Sequence, residues 1–160
     1  DIPDVSDTDW YSCAACFVSA RGIIKTDDNS FFKPDSLILP DMLHSMLLKA
    51  YCIEALSDKD IQIREIVEKH VTNFSHQLTR LELFIMLYEI LEYLDELPDV
   101  INDKTYDTYK QELVLETDQK KAIDLLIQTG IIKGDGFNLM LTKNSTHAKF
   151  AQVLYNLLTR

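Results

Sequence analysis

Thr79-Arg80-Leu81-Glu82-Leu83-Phe84-Ile85-Met86-Leu87-Tyr88-Glu89-Ile90 carries both the start of a helix and the face it buries. Thr79 and Glu82 stand at the spacing of a capping box, in which the hydroxyl accepts the Glu82 N–H and the carboxylate reaches back to the Thr79 N–H. Leu83, Met86, Leu87 and Ile90 then follow the i, i+3, i+4, i+7 pattern of a stripe facing a core. Arg80 is left over. In the first turn a cation is opposed by the helix dipole and gains nothing for the helix, so the residue is a candidate for contact with something anionic. The plain alternative is a solvated side chain, or one paired with a neighbouring glutamate.

The same stripe recurs forty residues earlier as Leu43, Met46, Leu47 and Ala50, and again late in the chain as Phe150, Val153, Leu154 and Leu157. Pro40 fits the first turn of the earlier copy, where its missing N–H is harmless, and that helix is expected to run to about Leu56. A shorter helix precedes each long one. The first, capped by Asp9 or Ser12 and ending near Ala20, places Trp10, Cys13, Phe17 and Val18 on one face. The second carries Ile61, Ile63, Ile66 and Val67, with His70 to Gln77 as a loop after it, and the third spans Lys121 to Gln128. Ile2-Pro3-Asp4-Val5 returns as Leu97-Pro98-Asp99-Val100, and Gly22-Ile23-Ile24-Lys25 returns as Gly130-Ile131-Ile132-Lys133. Two landmarks recurring in the same order indicate internal duplication. The reading is an all-α single domain over residues 1–160, built from three helix–loop–helix repeats. They cover 1–56, a shortened 57–96, and 97–160, the last with an insertion at about 102–118 that bears Tyr106 and Tyr109 and is expected to hold a helix of its own.

The 160 residues include 16 Lys+Arg against 26 Asp+Glu, a net charge of −10, which opposes binding to nucleic acid or an anionic lipid surface through the overall field. Leu81 to Leu94 is the most apolar run, and Glu82, Glu89 and Glu92 interrupt it, so no membrane insertion is expected. The sequence opens at Asp1 without a leader and reads as an excised segment. Cys13, Cys16 and Cys52 are an odd number and fit no closed disulfide framework. Cys13 and Cys16 form a C-x-x-C, but without the strand and βαβ context of a redox centre they read as helix packing. Zinc would need a second spaced ligand pair, and Asp27-Asp28-Asn29-Ser30 lacks the spacing of a calcium loop, so it reads as a solvated turn. His70 and His76 have no metal-ligating spacing. No Gly-rich phosphate loop and no nucleophile with a base are present, so neither an enzyme nor a cofactor or metal is expected.

On these residues the chain resembles the S-layer homology family. Its modules open with a Phe/Leu-Pro-Asp-Val type segment and a Trp-bearing short helix, and they continue through Gly-Ile-Val/Ile, a Phe-x-Pro loop and a Thr-Arg-Ala-Glu helix start. Ile2-Pro3-Asp4-Val5, Trp10, Gly22-Ile23-Ile24 and Phe32-Lys33-Pro34 match in the first repeat, which departs at Leu39-Pro40-Asp41-Met42. The second keeps only Thr79-Arg80-Leu81-Glu82. The third keeps Leu97-Pro98-Asp99-Val100 and Gly130-Ile131-Ile132-Lys133-Gly134, with Thr146-His147-Ala148-Lys149 at the helix start.

The resemblance implies a pseudo-threefold, three-pronged spindle with a central bundle of the long helices. It also implies an extracellular anchoring role at a bacterial cell wall, through a pyruvylated secondary cell-wall polysaccharide held by the motif arginine. Such a ligand wants a bidentate guanidinium, helix N-terminal N–H groups and an apolar wall. The expected ligand-binding residues are Arg80, Thr79, Trp10, His147, Lys25 and Lys133, and the expected structural caps are Thr79, Glu82, Pro40 and Thr146. Trp10 has a core position as its alternative, and Lys25 and Lys133 have a role at helix C-termini. His147 substitutes for arginine only when protonated, and Pro40 not at all. The competing expectation is a degenerate scaffold that binds a surface protein, with the Tyr106/Tyr109 insertion covering a groove.

Overall fold

Each long helix starts at the residue that aligns with Arg80. The computed structural model describes residues 1–134 and 136–160, and the described residues hold six α-helices: α1 (Ser12–Ala20), α2 (Pro40–Ala50), α3 (Asp58–His70), α4 (Arg80–Leu94), α5 (Thr117–Gln128) and α6 (His147–Leu158). Helices α2, α4 and α6 open on Pro40, Arg80 and His147 respectively, behind Leu39, Thr79 and Thr146 as N-caps, and the expected contrast of short and long helices is weak, with α3 at 13 residues longer than α2 at 11 and α5 equal to α6 at 12. Extended pairing among the described residues is limited to isolated bridges, so the chain is all-α.

The chain divides into two compact units. The first comprises residues 1–77 and 145–160, and the second residues 78–144. In the first unit α1 packs on α6 and α2 on α3. The small side chains of Ala14 and Ala15, fully buried with Val18, let α1 lie close against its partner. Phe17 adds an edge-on contact to Tyr155 at 5.4 Å between ring centroids. Leu43, Met46 and Leu47 of α2 are buried, as are Ile63, Ile66 and Val67 of α3, and the α6 stripe is buried throughout. In the second unit α4 packs on α5, burying the whole stripe Leu83, Met86, Leu87 and Ile90 together with Ala122, Ile123, Leu126 and Ile127.

The two Gly-Ile-Ile segments form the same turn. Gly22 and Gly130 take the left-handed φ values of 64° and 73° that glycine adopts without strain. The Ile23 N–H donates to the Val18 carbonyl at 2.9 Å, and the Ile131 N–H donates to the Leu126 carbonyl at 3.1 Å, each reaching five residues back. This shared geometry is independent of the side-chain stripe.

Several details differ from the sequence reading. The buried face of α1 is Ala14, Ala15 and Val18, while Cys13 and Cys16 are exposed. Trp10 is 62% exposed, so it is not a core residue. The N-cap of α1 is Tyr11 with no side-chain cap; the Asp9 carboxylate instead accepts the Ser6 N–H at 2.8 Å. Ile61 is half exposed. Helix α2 stops at Ala50, because Cys52 and Leu56 adopt left-handed φ of 52° and 64° that no helix can continue through. The insertion holds a single 3-10 turn, Tyr106–Thr108, and α5 begins at Thr117, four residues before Lys121.

Candidate functional site

Arg80 is placed by α4, whose start is satisfied donor by donor. The Glu82 N–H donates to the Thr79 hydroxyl at 3.2 Å, and the Thr79 N–H donates to the Glu82 carboxylate at 3.3 Å, so the expected capping box is present. The Arg80 N–H donates to the Lys143 carbonyl at 2.8 Å, the Leu81 N–H to the Leu141 carbonyl at 3.1 Å, and the Leu83 N–H to the Thr79 carbonyl at 3.0 Å. All four leading N–H groups, the usual orphans of a helix start, therefore have partners. A ligand at this end finds no free backbone donor, contrary to the expectation for an anion site of this kind. What remains is the guanidinium.

That side chain is not the loose cation its position suggests. Arg80 is 7% exposed. Its Nε donates to the Leu139 carbonyl at 3.0 Å, and its guanidinium carbon lies 4.9 Å from the centroid of the Phe84 ring, a cation–π contact. Among the described residues the guanidinium has no further hydrogen-bond acceptor, so its Nη donors are uncommitted. Burial pushes its pKa down, partly offset by the charge of Glu112; an arginine tolerates this and stays protonated.

Helix α6 repeats the capping device. The His147 N–H donates to the Ser36 carbonyl at 2.9 Å and the Ala148 N–H to the Pro34 carbonyl at 3.0 Å, while the Thr146 hydroxyl accepts the Lys149 N–H at 3.3 Å. Thr146 is thus the cap the sequence indicates. In α2 the aligned residue is Pro40, which has no N–H to satisfy.

His147 is 8% exposed. Its Nδ1 lies 3.1 Å from the Phe32 carbonyl, which can only accept, so Nδ1 carries the proton. Its Nε2 is buried without a partner among the described residues. Desolvation holds its pKa below the ordinary 6.5 against the raising effect of that hydrogen bond. At neutral pH His147 supplies an acceptor, not a positive charge.

The remaining predicted residues are Trp10, Lys25 and Lys133. Trp10 stands edge-on to Tyr11 at 5.2 Å, Tyr11 stacks on Phe32 at 6.4 Å, and Phe32 reaches the His147 ring at 5.9 Å, a chain of rings leading from solvent to α6. Lys25 and Lys133 are exposed beyond their Gly-Ile-Ile turns. The Lys49 pKa is lowered by burial first and by nearby Lys25 second.

Sequence reasoning missed Asp4, whose two carboxylate oxygens accept the N–H groups of Phe32 and Lys33, each at 2.7 Å. The recurring Pro-Asp of the openers was the available signal for it. A surface groove of about 530 Å³ runs beside α5 between Leu115, Lys121 and Gln128 and contains none of the predicted residues. Its Lys120 is already paired with Asp124 at 2.7 Å and Asp107 at 3.3 Å.

No protein-family model fits the sequence, and no curated protein is similar enough to count as a relative.

Proposed function

We propose that this chain is a non-catalytic anchoring module of the S-layer homology type, arranged as the pseudo-threefold spindle. In this reading it serves at a bacterial cell surface and holds an anionic, pyruvylated wall polysaccharide through Arg80. The observation that carries the reading is the state of Arg80: its Nε is fixed on Leu139, its guanidinium carbon lies over the Phe84 ring, and its Nη donors have no partner among the described residues. A guanidinium anchored in advance at Nε binds a carboxylate with less ordering cost than a free one.

The pairing of helices supports three repeats. The first helix of each repeat packs on the second helix of the repeat before it in cyclic order: α3 on α2, α5 on α4, and α1 on α6.

Isolated cell walls should pull the protein down, and walls stripped of pyruvate should not. Because Arg80 is buried, Arg80→Met is the informative variant: it keeps an apolar stem against Phe84 and removes the charge. It should weaken binding by about 1.5–3 kcal/mol, the worth of a charge-assisted contact, with the melting temperature measured in parallel. Unchanged wall binding in a folded Arg80→Met protein refutes the assignment. With a net charge of −10 the attraction is local, and added salt should weaken it.

A second reading, a scaffold that binds a surface protein, draws on the other two helix starts. One offers Pro40, which carries no charge, and the other offers a buried His147 held neutral. Failure to bind any wall preparation, together with specific capture of one envelope protein, favours this second reading.

A further inference from the structure

We propose that the loop of residues 32–36 is an acid-operated latch: when His147 takes up a proton, the loop leaves the start of α6 while the helix itself stays formed. This inference does not depend on the reading of Arg80.

The loop is joined to the first residues of α6 by contacts from side chain and backbone. His147 Nδ1 donates to the Phe32 carbonyl at 3.1 Å, the Ala148 N–H to the Pro34 carbonyl at 3.0 Å, and the His147 N–H to the Ser36 carbonyl at 2.9 Å. The buried Phe32 ring lies 5.9 Å from the imidazole between centroids. Lys33, inside the loop, takes a left-handed φ of 56°, a conformation disfavoured for a residue with a Cβ. The closed loop is thus held against a backbone preference, and its bonds to α6 are part of what holds it.

Only a neutral imidazole suits the closed arrangement. Nδ1 carries the proton that the Phe32 carbonyl accepts, and Nε2 is buried with no hydrogen-bond partner among the described residues. A second proton on Nε2 would be a buried donor without an acceptor, on a charged ring of a residue that is 8% exposed. The titratable groups of the surrounding elements do not relieve this. Lys33 of the loop opposes a second positive charge, and desolvation adds to it in holding the His147 pKa below 6.5. Asp4 of the opening segment is bonded to the Phe32 and Lys33 N–H groups, and Asp27 is paired with Lys33 at 3.0 Å. Arg21, at the end of α1, lies over the Phe17 ring, Lys149 of α6 is itself a cation, and neither Asp35 nor Tyr11 bonds the imidazole among the described residues.

Protonation is therefore coupled to opening, which gives Nε2 access to water. Helix α6 outlasts the opening because its own cap, the Thr146 hydroxyl on the Lys149 N–H, uses no atom of the loop, and water replaces the carbonyls of Pro34 and Ser36. The bonds from Asp4 do not involve His147 either, so the loop stays tethered to the opening segment after it leaves α6.

The test is amide exchange of the full chain, read residue by residue by NMR between pH 7.5 and 5 and corrected for the intrinsic pH dependence of exchange. The Ala148 amide should lose protection by about tenfold for each pH unit below 6.5, because each unit multiplies the opening constant tenfold while the closed form stays neutral. The Ile23 and Ile131 amides, bonded within their own turns, should keep their protection, which separates release of the loop from unfolding. His147→Asn retains an N–H donor for the Phe32 carbonyl and cannot take up the proton, so its Ala148 protection should be flat over the same range. Should that variant not fold, the imidazole shifts of the parent supply the second measurement, and their titration should track the loss at Ala148. The proposal is overturned if Ala148 stays protected down to pH 5, if Ile23 loses protection in parallel, if His147→Asn shows the parent's pH dependence, or if the imidazole titrates with no change at Ala148.

Discussion

Asp60 holds three strands of polar chemistry with one side chain. Its Oδ1 lies 2.6 Å from His44 Nε2, its Oδ2 accepts the Leu56 N–H at 2.7 Å, and its own N–H donates to the Ser57 hydroxyl at 3.3 Å. Asp60 and His44 are both buried, so the pair ties α3 to α2 where water competes little. The backbone bond to Leu56 is the largest influence holding the Asp60 pKa below its ordinary 3.8. A depressed carboxylate stabilises the fold above the unfolded-state pKa and stops doing so as pH falls through the folded value. Asp60→Ala leaves a buried imidazole donor and a backbone N–H unpaired. It should cost roughly 2–3 kcal/mol in urea denaturation at pH 7, and the difference from the parent should shrink below pH 3.8. Nothing in the sequence pairs Asp60 with His44, which are sixteen residues apart on different helices. Arg80 is the converse case: its unfavourable position in the helix dipole points to a contact outside the helix, and the carbonyl of Leu139 and the ring of Phe84, which the sequence does not indicate, hold part of the side chain.

At the level of the helix, Thr79→Ala removes the cap hydroxyl and its reciprocal contact with Glu82. A loss of about 1 kcal/mol is expected from chemical denaturation, and Thr79→Ser should restore most of it. The long helices were legible because their signals are local: Thr79 with Glu82, Thr146 before His147, Pro40 at a first turn, and three stripes in register. The short helix α1 was misread because Trp10, Cys13 and Phe17 satisfy helical spacing as well as the true face does. Ala14 and Ala15 carry little hydrophobic signal, yet their small size is what the neighbouring α6 requires. The insertion was misread for a related reason. Tyr106 holds the loop together through hydroxyl bonds to the backbone at Leu113 rather than through a helical face.

Across the whole chain, buried imidazole sets the acid limit before the carboxylates do. His147 has a folded pKa below its ordinary 6.5, so the unfolded chain takes up that proton first, and stability falls as pH drops below about 6.5. Thermal melts between pH 7 and 5 should show this decline, and His147→Leu should flatten it. The division into units follows from chain connectivity, since α1 finds its partner in α6. Residues 78–144 form a contiguous unit, whereas residues 1–77 share theirs with 145–160. On the ribosome, the middle unit is therefore complete before the first one is. A nascent chain arrested just after residue 144 has cleared the exit tunnel should resist protease within 78–144 and be cut around α1, whose Ala14–Val18 face stays bare until the last helix is translated.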